Sequence, residues 1–196
     1  MSNTKLLYKR ESDLLRALSN FWDRLIARRA LFLADEPTTV LDSPCGDGRF
    51  WPLLAEKRDR KIIATDKSAT MLVSAWNANP SRVVERVRLH APSFAMGLAD
   101  ESVDCIFSMR PFQGLVDASA RLDLLREFHR ITRDCLIISV DVKGDPSSGA
   151  NGDPGHARIE SEFRLAGFTL QHYIVRLPPF DLCRTYILRK YQTVSF

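Results

Sequence analysis

The chain has 196 residues, 45% of them hydrophobic and 27% charged, a composition that excludes disordered, collagen-like and coiled-coil proteins. At this length roughly 70% of the unfolded surface can be buried, so one compact domain needs neither disulfides nor a structural metal. The formal net charge is +4. Residues 1–34 carry that excess: Lys5, Lys9, Arg10, Arg16, Arg24, Arg28 and Arg29 stand against Glu11, Asp13 and Asp23. Such a basic arm is either a solvated helix face or a surface for an anionic or protein partner. No dedicated nucleic-acid motif accompanies it, so nucleic acid is not the expected partner. The longest apolar run, Ala30–Ala34, is too short for a transmembrane segment, and the opening MSNTKLLYKRESDLL has no secretory core. The four cysteines, Cys45, Cys105, Cys135 and Cys183, have neither metal-ligand nor redox spacing. A soluble, cytoplasmic protein with reduced thiols and no metal is the expectation.

In chain order, Leu14, Leu15, Leu18, Phe21, Trp22, Leu25 and Ile26 recur at helical spacing, and a second helical piece, ARRALFLA, runs to Asp35-Glu36-Pro37. From there strands and helices alternate. TTVLD (Thr38–Asp42) predicts a strand, Phe50 to about Arg58 a helix, and KIIATD (Lys61–Asp66) a second strand. Ser68 is a candidate N-cap for the helix carrying Met71, Leu72, Ala75 and Trp76. Val87–His90 and Ser102–Met109 read as strands three and four. Leu122, Leu125, Phe128 and Ile131 form a helical stripe over about Ser119–Arg130, and CLIISVD (Cys135–Asp141) suits a central strand. Val142–Gly155 reads as a loop and Ala157–Leu165 as a short helix. Phe168–Leu177 and Leu182–Tyr191 flank Pro178-Pro179 as an antiparallel hairpin.

This alternation predicts an α/β fold: a doubly wound, mostly parallel, seven-stranded Rossmann-like sheet with a C-terminal antiparallel hairpin. Residues 1–36 form an N-terminal helical arm or lid, and 37–196 the main domain. Ligands of such sheets bind beyond the C-terminal strand ends. The richest stretch there is VLDSPCGDGRF (Val40–Phe50), where an acid ends a strand and Gly46 and Gly48 permit a tight turn. Asp66, 24 residues beyond Asp42, ends the next strand and is placed to accept from ribose hydroxyls. The bland alternative for either aspartate is a turn or helix cap. Dinucleotide enzymes share these features, but their third small residue is here Trp51. That weakens the NAD-dependent dehydrogenase alternative.

VLDSPCGDGRF, IIATDKSATML, ADESVDCIFSMR, LLREFHRITRDCLIIS and the final hairpin together resemble the class I S-adenosylmethionine-dependent methyltransferases. The similarity runs from about Thr38 to Lys190 and is nearest to small stand-alone bacterial members, some associated with lipopolysaccharide assembly. The resemblance implies S-adenosylmethionine as cofactor. Asp42 and the turn through Ser43, Pro44, Cys45, Gly46 and Gly48 would surround its methionine part. Asp66 would hold the ribose with Lys67 beside it, Ser93 and Phe94 would approach the adenine, and Ser108, Met109 and Arg110 would border the sulfonium and acceptor. Two departures stand out: Pro44 replaces the family's usual first glycine, and Pro92 its usual adenine-facing acid.

The resemblance implies methyl transfer by in-line displacement to a small-molecule or envelope-precursor acceptor. The alternative is a non-catalytic or regulatory S-adenosylmethionine-binding protein acting through a protein partner at the basic arm, in lipopolysaccharide regulation for example. Cys45 lacks the neighbours that activate a nucleophile. His90, His129, His156 and His172 lack ligand spacing. An oxygen acceptor would need proton removal, for which Asp141, His156 and Tyr8 are the groups to test; none of them is specific enough to be called catalytic. Phe21 and Trp22 read as packing residues of the arm, or as walls of an acceptor pocket if the arm folds over the sheet edge.

Overall fold

The computed structural model describes residues 3–79, 86–89, 95–112, 115, 117–141, 154–176 and 183–191. A long helix α1 (Asn3–Leu33) leads into β1 (Thr39–Asp42), the single-turn α2 (Trp51–Leu54), β2 (Lys61–Asp66), α3 (Ala69–Ala78) and β3 (Arg86–Leu89). Then follow β4 (Val103–Met109), α4 (Ala118–Ile131), β5 (Thr132–Asp141), α5 (Pro154–Leu165), β6 (Phe168–Val175) and β7 (Cys183–Lys190). The strands form one sheet in the order β3-β2-β1-β4-β5-β7-β6. The first five are mutually parallel, and β7 runs antiparallel to both β5 and β6. A mostly parallel sheet with an antiparallel C-terminal hairpin is thus observed. Strand order reverses at the β1–β4 junction, where the crevice of a doubly wound sheet opens.

Helices cover both faces because the central strands alternate buried side chains between two clusters. Val40, Cys105, Phe107, Cys135, Ile137 and Ile187 pack with α1, α2 and α3. Leu41, Ile106, Leu136, Ile138, Tyr186 and Leu188 pack with α4 and α5 on the other side. The period of two within each strand dictates this division. A buried pair, Arg121 with Glu162, ties α4 to α5 through two hydrogen bonds of 2.9 and 2.6 Å.

Several boundaries differ from the sequence expectation. The arm is one continuous helix, because no breaker interrupts it before the positive-φ pair Asp35 and Glu36. Its C-terminal part enters the core through Ala27, Ala30, Leu31 and Ala34, whose mostly small side chains let the helix lie close against the sheet. The expected Phe50–Arg58 helix lasts only one turn. Arg60, buried, donates to the Leu54 and Pro37 carbonyls at 2.9 Å each, so a tertiary partner takes the bond that a further turn would have used. β5 begins three residues early, directly after α4. α5 starts at Pro154 rather than Ala157, inside the stretch expected to be loop, since proline is well suited to a first turn. The remainder of that loop, residues 142–153, and the Pro178-Pro179 turn lie outside the described residues. Ser68 does cap α3, its Oγ accepting from the Met71 N–H at 3.3 Å.

Removing one partner of a buried ion pair strands the other charge, which typically costs 3–5 kcal/mol. Glu162→Ala is therefore expected to lower unfolding free energy by about 3 kcal/mol, measured by urea denaturation, with Glu162→Gln losing less.

Candidate active site

The site forms where the C-terminal ends of β1, β2 and β4 meet. A cavity of about 370 Å³ opens there, within the size range of small-ligand pockets. Its polar side is Ser43, Gly46, Asp66, Lys67, Ser68 and Arg110, and its apolar wall includes Met71, Met96, Met109, Leu124 and Phe128.

Asp66 organises the polar side. One carboxylate oxygen accepts the Gly46 N–H at 2.9 Å and the other the Ser68 N–H at 2.8 Å. Each oxygen keeps a further lone pair for a hydroxyl donor. Gly46 adopts φ +56°, and a Cβ added there would meet nothing within 4 Å, so its backbone faces open space. The turn is held from behind by Ser43 N–H to the Phe107 carbonyl (3.0 Å), Cys45 N–H to the Thr65 carbonyl (2.9 Å) and Ser108 Oγ to the Ser43 carbonyl (2.5 Å). The Ser43–Pro44 peptide is cis. Gly48 has φ +73°, and a Cβ there would come within 2.9 Å of the Trp51 ring and 3.0 Å of Ala75, so both conformation and space require glycine.

Asp42 lies beneath this turn, 1% exposed, and its Oδ2 accepts the Trp51 indole N–H at 3.0 Å. Burial pushes its pKa up to about 8; the nearby Asp66 charge adds to this and the Trp51 bond opposes it. Burial likewise pushes the Cys45 thiol far above its ordinary value, which disfavours the thiolate.

Of the residues singled out in the sequence, Ser43, Pro44, Gly46, Asp66, Lys67 and Met109 line the cavity. Asp42, Cys45, Gly48 and Ser108 lie behind it and shape the turn. Pro92, Ser93 and Phe94 lie outside the described residues. Of the candidate bases, Asp141 sits 3.5 Å from the guanidinium of Arg110, which lines the cavity, but does not itself line it. His156 is buried, with Nδ1 2.8 Å from the Tyr186 hydroxyl, and does not line the cavity. Tyr8 lies on α1, and its side chain is outside the described set.

Sequence reasoning missed much of the apolar wall. Met96 is placed by its backbone N–H donating to Glu127 at 2.9 Å, a carboxylate that Arg130 holds below its ordinary pKa. No local pattern signals that pairing. Met71 stood in a recognised helical stripe, but only the tertiary structure turns it towards the cavity.

Among the described residues no group of three or more His, Cys, Asp or Glu side chains could hold a metal. No helix among them is long and apolar enough to cross a membrane.

Residues 40–134 match the family model of a methyltransferase domain. A search of curated proteins returns no match. Solved structures share the fold at low identity. A possible exported protein from Bordetella parapertussis aligns with a TM-score of 0.68 at 18% identity, over 87% of this chain and 67% of its own. An S-adenosylmethionine-dependent methyltransferase from Clostridium acetobutylicum gives 0.67 at 13% identity, over 97% of this chain and 100% of its own. Another such enzyme, from Aquifex aeolicus, gives 0.59 at 21% identity, over 78% and 82%. The segment matched by the family model contains the turn, Asp66 and Met109.

Because Asp42 binds its proton more tightly folded than unfolded, its contribution works against the ligand-free protein as pH rises. That stability is present below the unfolded pKa near 4 and is lost as pH climbs to about 8. Asp42→Asn keeps an acceptor for Trp51 without the ionisation. The variant should lose less melting temperature than the wild type between pH 5 and 8, read by calorimetry across that range.

Proposed function

We propose that this protein is an S-adenosylmethionine-dependent methyltransferase acting on a small-molecule acceptor. The observation that carries the reading is the Ser43–Gly48 turn and Asp66 enclosing one cavity at the β1–β4 crevice. The methyltransferase-domain match over residues 40–134 supports the same cofactor. The residues fit that molecule. Asp66 has acceptor capacity left for ribose hydroxyls, the Gly46 backbone leaves room for a close ligand, and the methionine and leucine wall suits a thioether and an adenosine. In this reading Asp66, Lys67 and Ser68 hold the ribose end, and Ser43, Pro44 and Gly46 the methionine end. Asp42, Cys45, Gly48 and Ser108 keep the turn in shape, Met109 borders the reacting centre, and Ser93 and Phe94 serve the adenine.

The bound cofactor supplies a methyl group already activated by its sulfonium. The protein's own task is to align the acceptor and exclude water, through the apolar wall of Met71, Met96, Met109 and Phe128. Asp141, 3.5 Å from the Arg110 of the cavity wall, is the candidate base among the described residues. The four free thiols accord with a cytoplasmic setting. An envelope precursor, including one of lipopolysaccharide assembly, is the finer acceptor class; what supports it is the sequence resemblance. The rival reading, a regulatory cofactor-binding protein working through a partner, draws on the exposed Leu15, Leu18 and Phe21 of α1.

Calorimetry should detect S-adenosylmethionine binding to the full chain. Asp66→Ala should weaken it by about 1.5–3 kcal/mol, roughly ten- to 150-fold, the range for hydrogen bonds to a charged group. A wild type that binds NADH instead would favour the dehydrogenase alternative. Cofactor binding without transfer of labelled methyl to any cell-extract fraction would favour the regulatory reading.

A further inference from the structure

Beside the cofactor-sized cavity three guanidiniums converge on one carboxylate. Asp23, on α1, lies 3.0 Å from Arg49, 3.3 Å from Arg176 and 4.0 Å from Arg110. The arginines come from three separate places: the turn after β1, the end of β4 and the end of β6. A second acid, Asp141, stands 3.5 Å from Arg110. Three cations thus share two carboxylates.

The arginines are not equally satisfied. Arg176 is buried, and two of its nitrogens reach Ser19 and Asp23, but its Nε meets no acceptor among the described residues. Arg49 spans Asn20 and Asp23 and lies 4.5 Å over the Phe50 ring, with 37% of its side chain exposed. Arg110 is the least engaged. Its ion contacts, at 3.5 and 4.0 Å, are longer than the 2.7–2.9 Å typical of a charge-assisted hydrogen bond. Arg110 also holds φ +60°, a left-handed conformation that glycine or asparagine adopts at less strain. Its backbone N–H is tied to Ser139 Oγ at 3.0 Å, so the strained position is fixed while the guanidinium keeps only its two long ion contacts. Strain of this kind, kept beside a cavity, points to a side chain that is needed there.

The cluster lies between two spaces. Met109 and Arg110 line both the cofactor-sized cavity and the small cleft that holds Asp23 and Arg176. Asp23 and Arg49 also border an outer cavity of about 350 Å³, walled by Phe21, Arg24 and Phe50. An aromatic wall beside forked donors suits a molecule with an apolar body and an anionic head.

The geometry points to an acceptor-binding subsite for a carboxylate or phosphate, in which Arg110 and Arg49 grip the anionic head and the outer cavity takes the body. Asp23 is the positioning residue that holds the arginines together against their mutual repulsion. This inference rests on the methyltransferase reading for the word acceptor; the anion site itself does not.

The test is an NMR titration of the full chain with benzoate, phenyl phosphate and the neutral benzyl alcohol, each with and without S-adenosylhomocysteine. At least one anion should bind and the alcohol should not; the stronger anion identifies the head group. Arg110→Gln and Arg49→Gln should each weaken anion binding by about tenfold or more, and rising salt should weaken it in the wild type. Thermal melts establish that both variants are folded. Equal binding of the alcohol, no binding of either anion, or wild-type anion affinity in both folded variants would overturn the subsite. Anion binding in a protein that ignores S-adenosylhomocysteine would keep the subsite and remove the methyltransferase reading instead.

Discussion

One carboxylate sets the geometry on which the site depends. Asp66 ends β2 and accepts a backbone N–H from each of two loops: Gly46 from the turn after β1 and Ser68 at the start of α3. Those loops belong to neighbouring parallel strands, whose register places Asp42 beside Ala64. Without a shared acceptor, two short loops at a strand edge would each be free to settle separately. With it, the loops form one wall, and the Ser43–Gly48 turn is anchored to β2 through Cys45 N–H to the Thr65 carbonyl and Gly46 N–H to Asp66.

A second buried acid makes this arrangement electrostatically demanding. Asp42 is withdrawn from water, and burial, with the nearby Asp66 charge adding to it, disfavours its ionised form. The indole of Trp51 supplies a hydrogen bond that offsets part of the cost of burial. Trp51 also excludes any side chain at Gly48. The bulky residue that sets this turn apart from a dinucleotide fingerprint is thus a structural member of it. On the opposite side of the crevice the charge is reversed, with Arg49, Arg110 and Arg176 gathered around Asp23. The crevice therefore has Asp66 on its β2 side and an arginine cluster on its α1 side.

Helix α1 links these features to the core. Its alanine-rich C-terminal face packs against the sheet, Arg28 pairs with Glu56, and Ser19 and Asp23 engage Arg176 from the far strand pair. Its basic composition suggested a surface for partners. In the structure part of that charge is spent internally, while Leu15, Leu18 and Phe21 remain exposed.

The sequence by itself determined the alternation of strands and helices, the turn between Asp42 and Phe50 and the acid at the end of β2. These are local properties: side-chain period, glycine placement and capping act within a few residues. The tertiary structure alone decided that α2 stops after one turn and that Trp51 reaches Asp42. It also brought Arg176 to Ser19 across 157 residues and assembled the arginines on Asp23. Such contacts join side chains whose separation in the chain carries no period. Only the packing of whole elements fixes which of many compatible charges meet.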